Sequence, residues 1–211
     1  MITLFITVLA SLFSVVNPMG AVPVYLALTP GYTRRERNRT ALTTSFYFVL
    51  ILMSFFFAGT LILKFFGLSV NALKIAGGLV IINSGYALLS GKFAQSRAMD
   101  KSVRKEALEK EDISFSPMAM PMLSGPGSIS LLISLFATHE LWPERFVIAS
   151  VILVTGVIVY LILRTSPFLF RLLGVAGLKA ISRIMGFLVM GIGIEYMISG
   201  IVAIVQRLIA G

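Results

Sequence analysis

The sequence predicts an all-α membrane protein of six transmembrane helices, and three observations carry that prediction. The first is composition: 57% of the 211 residues are hydrophobic and 13% are charged, whereas soluble domains are about half apolar and about a quarter charged. The second is a set of long uncharged runs such as residues 43–63 and 146–163, because about 20 apolar helical residues cross a hydrocarbon core. The third is that the alternating ten-residue segments of a closed barrel are not seen.

Apolar runs between charged or turn-rich breaks give the predicted spans. They are residues 3–28, 41–63, 72–89, 114–136, 146–163 and 184–204.

Basic residues orient these spans. The first, third and fifth connections hold fourteen of the 18 Lys and Arg residues, within residues 34–39, 92–110 and 164–183. By the positive-inside rule these connections face the cytoplasm, so both termini are expected outside it. The sequence thus predicts a multi-pass protein of the cell (inner or plasma) membrane.

The remaining composition argues against several other classes of protein. The net charge of +9 is spread over short connections, which argues against a nucleic-acid partner. There is no Cys and one His, and no recognisable acid, base or nucleophile set. We therefore expect no enzyme activity, no cofactor and no metal.

Two stretches of sequence repeat. Residues 74–91, KIAGGLVIINSGYALLSG, align without gaps with residues 183–200, RIMGFLVMGIGIEYMISG, and Asn17 lies against Ser124 at an offset near 107. Three helices per copy would turn the second copy upside down and give two inverted three-helix repeats. This divides the chain into a first repeat (1–91), a cytoplasmic linker (92–113) and a second repeat (114–211), unless the likeness is a chance match of apolar letters.

The first and fourth spans are predicted to be broken in mid-membrane. Asn17 followed by Pro18 is a helix-start signature, and Pro117, Pro121 and residues 124–128, SGPGS, interrupt the fourth span. Each restarted helix would offer amides to an anion, and each upstream end would offer carbonyls to a cation. The alternative is that the prolines only kink packed helices.

Two further sets of residues stand out within the spans. Glu195 is the acidic residue that lies well inside a span, and it is a candidate to accept a proton or, alternatively, a neutral hydrogen-bonded group. Glycines of the third and sixth spans are expected to be close-packing positions between helices. They are Gly77, Gly78, Gly85, Gly186, Gly191 and Gly193.

Three blocks give a family resemblance: NPMGAVPVYLALTPG at 17–31, LKIAGGLVIINSGYALL at 73–89 and PMAMPMLSGPGSIS at 117–130. With the arginine-rich stretch after the first block, they resemble the MarC family of six-span membrane proteins, whose members include the neutral amino acid transporter SnatA. The resemblance implies proton-driven symport of small neutral amino acids such as glycine and alanine. Related sequences often carry glutamine where Glu195 stands, so it does not extend to a coupling role there.

The implied substrate site lies between the interrupted first and fourth helices. Its residues are Asn17, Pro18, Gly20, Ser124, Gly125, Gly127 and Ser128. The expected partners are a neutral amino acid, protons and the lipid bilayer, with a homo-oligomer left open. A channel or small-solute exporter without ion coupling is the alternative function.

Overall fold

The computed structural model describes residues 1–91 and 112–210, and helices make up nearly all of these two ranges. In chain order they are α1 (Ile2–Val16), α2 (Pro18–Leu28), α3 (Arg34–Phe65), α4 (Val70–Leu89), α5 (Ser114–Leu123), α6 (Pro126–Thr138), α7 (Trp142–Arg164) and α8 (Ser166–Ala210). The described residues contain no strand.

The helices account for six membrane spans. Residues Ile2–Leu28 (α1 with α2), α3, α4, α7 and α8 are each long and apolar enough to cross a bilayer, and the bent pair α5–α6 supplies a sixth span. The predicted all-α membrane fold is confirmed. The predicted linker (92–113) falls outside the described residues, except for Asp112 and Ile113.

Two helices begin earlier than the apolar runs predict. α3 starts at Arg34 because Thr33 and Glu36 form a reciprocal cap, in which the Glu36 amide donates to Thr33 Oγ1 (3.3 Å) and the Thr33 amide donates to Glu36 Oε2 (2.7 Å). The sixth span was predicted to begin at 184, after a connection that holds Arg164 and Arg183, and this predicted start is wrong. The chain is helical from Ser166, with one break at Gly174, whose φ of 62° suits glycine.

Helices α4 and α8 pack antiparallel along their glycines. A methyl group at Gly78 would lie 2.7 Å from the Gly193 carbonyl oxygen, and one at Gly85 would lie 2.8 Å from the Gly186 carbonyl oxygen. Close packing is therefore confirmed for these four residues, and Gly77 packs equally closely against α6. The same prediction is wrong for Gly191, where an added methyl group would have no atom of another helix within 4 Å.

The other contacts bring the broken spans to the middle of the bundle. α3 packs against α7, with the buried rings of Phe48 and Phe56 in the core. α6 packs against α3 and α4, while α1 contacts α7 and α2 contacts α8. The first and fourth spans thus pack against several of the other spans.

Candidate functional site

The first break is at Asn17, as the sequence predicts. Asn17 adopts a left-handed conformation (φ 48°, ψ 63°), which asparagine tolerates better than most residues. Its amide ends α1 by donating to the Phe13 carbonyl (2.9 Å), and its Oδ1 accepts from the Gly20 amide (3.4 Å), with Pro18 first in α2. The first span is interrupted here and yet bends by less than 40°.

The Asn17 side chain is only half satisfied. Asn17 is 1% exposed, and its Nδ2 group has no acceptor within the described part of the chain. A buried donor without an acceptor costs about 1–3 kcal/mol. A polar ligand that accepted from Nδ2 would recover that free energy.

The second break, at Ser124 and Gly125, is sharper. The helices before and after it, α5 and α6, meet at 66°. The turns of α5 are wide, and backbone angles are non-helical at Ser116 and Met120. The Ser124 amide donates to the Ala119 carbonyl (2.8 Å). Gly125 is extended, and α6 then begins at Pro126.

The start of α6 offers hydrogen-bonding groups to a ligand. The amides of its first turn, including those of Gly127 and Ser128, have no intrahelical acceptor by geometry, and they carry a partial positive charge. The Ser128 hydroxyl already donates a hydrogen bond to the Gly125 carbonyl (2.9 Å). Ser124 Oγ is fully buried and has no partner among the residues the structure describes.

The two breaks lie next to each other. A methyl group at Gly127 would lie 3.5 Å from Val15 Cγ1, two residues before Asn17, and 2.9 Å from Ile81 Cγ1 on α4. The seven predicted site residues are all buried, so none of them is exposed at the surface in this arrangement. The start of α6 therefore lies against the end of α1, and each break also carries one buried polar side chain without a partner among the described residues.

Glu195 is not brought to these breaks. Its side chain is exposed on the outer surface of α8. The next residue, Tyr196, faces inward and donates from its hydroxyl to the Ser130 carbonyl on α6 (2.8 Å). Glu195 thus lies on a helix that contacts the fourth span directly, but on another face of that helix.

Two tyrosines at helix contacts were missed by sequence reasoning. Tyr25 is fully buried and its hydroxyl donates to the Arg37 carbonyl, which ties α2 to α3. Tyr196 ties α8 to α6 in the same way. The available signal is a tyrosine inside an apolar run, since a buried hydroxyl needs a partner. Among the described residues, no three of His, Asp and Glu are grouped so as to hold a metal ion.

Comparisons with known proteins cover almost the whole chain. The profile described as "MarC family integral membrane protein" matches residues 2–205. A UPF0056 membrane protein of Buchnera aphidicola is 34% identical over 208 residues, which are 99% of this chain and 96% of that protein. The UPF0056 inner membrane protein MarC of Escherichia coli O1:K1 is 36% identical over 210 residues, covering 94% of each. A UPF0056 membrane protein of Methanocaldococcus jannaschii is 34% identical, covering 93% and 95%. No solved structure matches the chain.

Proposed function

Because the chain belongs to the MarC family of integral membrane proteins, we propose that it is a secondary transporter of small neutral amino acids such as glycine and alanine. The proposal includes alternating access and proton-driven symport. It places the protein in the inner or plasma membrane, with both termini outside the cytoplasm. A relative in E. coli is described as an inner membrane protein, which supports the choice of membrane.

The observation that carries the proposal is the meeting of two interrupted spans around buried polar atoms without partners. Asn17 Nδ2 is a donor, and Ser124 Oγ can donate or accept. Non-helical backbone at membrane depth is tolerated only where protein or a polar cavity satisfies it. Two buried polar side chains without partners destabilise the empty protein. A polar solute that formed hydrogen bonds with both would remove that cost.

The chemistry of a neutral amino acid suits this region. Its carboxylate would accept from Asn17 Nδ2 and from the first amides of α6 at Gly127 and Ser128, where the helix dipole favours an anion. Its ammonium would donate to carbonyls at the end of α1 and to Ser124 Oγ. Gly127 packs closely against Ile81. The limited space beside them would favour substrates with small side chains.

The burial of the seven site residues fits an occluded state of a carrier. Access from either side would require the two proposed repeats, residues 1–91 and 114–211, to move relative to each other. The helix contacts support this division, in which α2, α3 and α4 correspond to α6, α7 and α8. The contact of α2 with α8 has its counterpart in the contact of α6 with α4. Helix α3 packs against its equivalent α7, and α4 packs against its equivalent α8. Glu195 is exposed on another face of α8, so as the candidate for the coupling proton it would affect the site only through a movement of α8.

Counterflow in liposomes tests the proposal. Vesicles loaded with unlabelled glycine should take up labelled glycine transiently above equilibrium, because a carrier exchanges its substrate. The test variant is Asn17→Gly, since glycine adopts the left-handed conformation freely and costs only a few tenths of a kcal/mol at a helix N-cap. Losing one hydrogen bond to a charged group costs about 1.5–3 kcal/mol, so counterflow should fall roughly tenfold to hundredfold.

The matched control is Asn83→Ala. Asn83 is also an asparagine within a span, but its side chain is exposed on the outer surface of α4, so counterflow should be unchanged. Equal loss in both variants would refute the role of Asn17. Simple equilibration of glycine without an overshoot would identify a channel, and the absence of any glycine or alanine flux would refute the substrate class.

A further inference from the structure

A cluster of arginines lies apart from the residues of the two breaks, at the end of the bundle that the positive-inside rule assigns to the cytoplasm. A cleft of about 420 Å³ there is lined by four arginines, Arg34, Arg37, Arg164 and Arg171, together with Phe168. It is formed by the first residues of α3, the last residue of α7 and the start of α8. We refer to it as the arginine cleft.

The arginine cleft carries a strong positive charge. None of its lining residues is acidic. Arg37 donates to the Thr29 carbonyl (3.2 Å), and Arg164 donates to the Tyr160 hydroxyl (3.2 Å). Arg34 and Arg171 are exposed and have no hydrogen bond or ion pair with any residue that the structure describes. Four like charges around one cleft repel one another unless an anion lies between them.

The helix ends add to this charge. α3 and α8 both start at the cleft, and the N-terminus of a helix carries about half a positive charge. Arginine side chains and helix N-termini both bind anions that accept several hydrogen bonds at once, above all phosphate. A free neutral amino acid also carries an ammonium group, which the four arginines would repel, so the cleft is unsuited to the proposed transport substrate.

Apolar surface continues from the cleft into the membrane region. A neighbouring shallow cleft of about 710 Å³ shares Arg37 and Arg171 and is otherwise lined largely by apolar residues, including Leu26 and Phe170. Phe168 is 64% exposed. A charged pocket that opens onto an apolar groove at the ends of membrane spans matches a molecule with a phosphate head and hydrocarbon tails.

We propose that the arginine cleft binds the phosphate of an anionic phospholipid, with its acyl chains along the groove beside Leu26 and Phe170. The site is independent of the amino acid site, because none of the residues at the two breaks lines it. A bound lipid would neutralise the cleft and hold the starts of α3 and α8 together.

Native mass spectrometry of the detergent-purified full chain tests this proposal. Phosphatidylglycerol and phosphatidylcholine are added separately, and the test variants are Arg34→Gln, Arg171→Gln and the double variant. One basic residue near an anionic lipid is worth about fivefold in binding. Each single variant should therefore bind phosphatidylglycerol about fivefold more weakly, and the double variant about 25-fold.

Arg35→Gln is the matched control, because Arg35 is exposed at the same level of α3 and does not line the cleft. It should bind phosphatidylglycerol as the wild type does. Circular dichroism and gel filtration verify that the variants are folded, which is expected because Arg34 and Arg171 are exposed.

Three results would overturn the proposal. The first is equal binding of phosphatidylglycerol and phosphatidylcholine by the wild type. The second is undiminished binding by a folded double variant. The third arm adds millimolar inorganic phosphate: if phosphate alone displaces phosphatidylglycerol completely, the cleft takes a free anion and not a lipid. None of these results bears on glycine counterflow.

Discussion

The close packing of α4 on α8 gives the sharpest prediction about the fold, and it compares one substitution at two positions. Gly78→Ala places a methyl group 2.7 Å from the Gly193 carbonyl oxygen and 2.9 Å from both the amide nitrogen and Cβ of Met197. Gly191→Ala adds the same methyl group on α8, where nothing lies within 4 Å. The chemistry is the same, and only the space differs.

The expected magnitudes follow from these distances. Two of the three atoms near Gly78 belong to the backbone, so no rotamer change can relieve the clash and the helices must separate. Overpacking of this kind costs about 1–3 kcal/mol, and backbone contact favours the upper half of that range. Alanine is favoured over glycine within a helix by about 1 kcal/mol at either position, so that gain cancels between the two variants.

Thermal unfolding of the detergent-purified variants measures the difference. For a chain of this length, about 1 kcal/mol shifts Tm by about 2–4 °C. Gly78→Ala should therefore melt about 4–12 °C below Gly191→Ala, which should equal or exceed the wild type. Gly193→Ala, which meets the Ile82 amide nitrogen at 2.8 Å, should behave like Gly78→Ala. If Gly78→Ala and Gly191→Ala melt within 1 °C of each other, the two helices do not pack as described.

Three more predictions concern the contacts around the proposed site. Tyr196→Phe removes the hydrogen bond to the Ser130 carbonyl and should lower the free energy of unfolding by about 0.6–1 kcal/mol; an unchanged Tm would show that α8 and α6 are not joined there. Gly127→Ala places a methyl group 2.9 Å from a flexible Ile81 side chain, so the fold should survive while counterflow of alanine falls more than that of glycine. Equal transport of both by this variant would mean that Gly127 does not line the substrate site. Glu195→Gln should abolish the dependence of glycine uptake on a pH gradient and leave counterflow at equal pH intact; uptake that still follows the pH gradient would exclude Glu195 as the proton carrier.

Features that depend on a short stretch of sequence were predictable. Asn17-Pro18 specifies a cap and a first helical residue on its own, and the break is where these two residues predict it. The interruption at Ser124 and Gly125 follows in the same way from flanking prolines and glycines. The spans were predictable because hydropathy reports directly on the solvent of each segment.

Features that depend on a neighbouring helix were not predictable. Hydropathy marks the residues that lie in lipid and not the residues that are helical, so the charged start of α3 at Arg34 and the helix from Ser166 were missed. A glycine in a helix indicates that another helix can approach closely, but it does not show on which face that helix lies. The close packing predicted at Gly78 was therefore correct, and the close packing predicted at Gly191 was wrong. That Asn17 Nδ2 has no acceptor can be seen only once every surrounding element is in place.

The unequal bends at the two breaks have a consequence for a carrier of the proposed kind. The fourth span turns through 66° and the first through less than 40°, so the two hinges do not start from equivalent geometries. In a carrier whose two broken spans bend in turn, one open form would flex the sharper break and the other would flex the gentler one. The two open forms then differ in energy, and the empty protein would rest facing one side of the bilayer rather than dividing its time evenly between them.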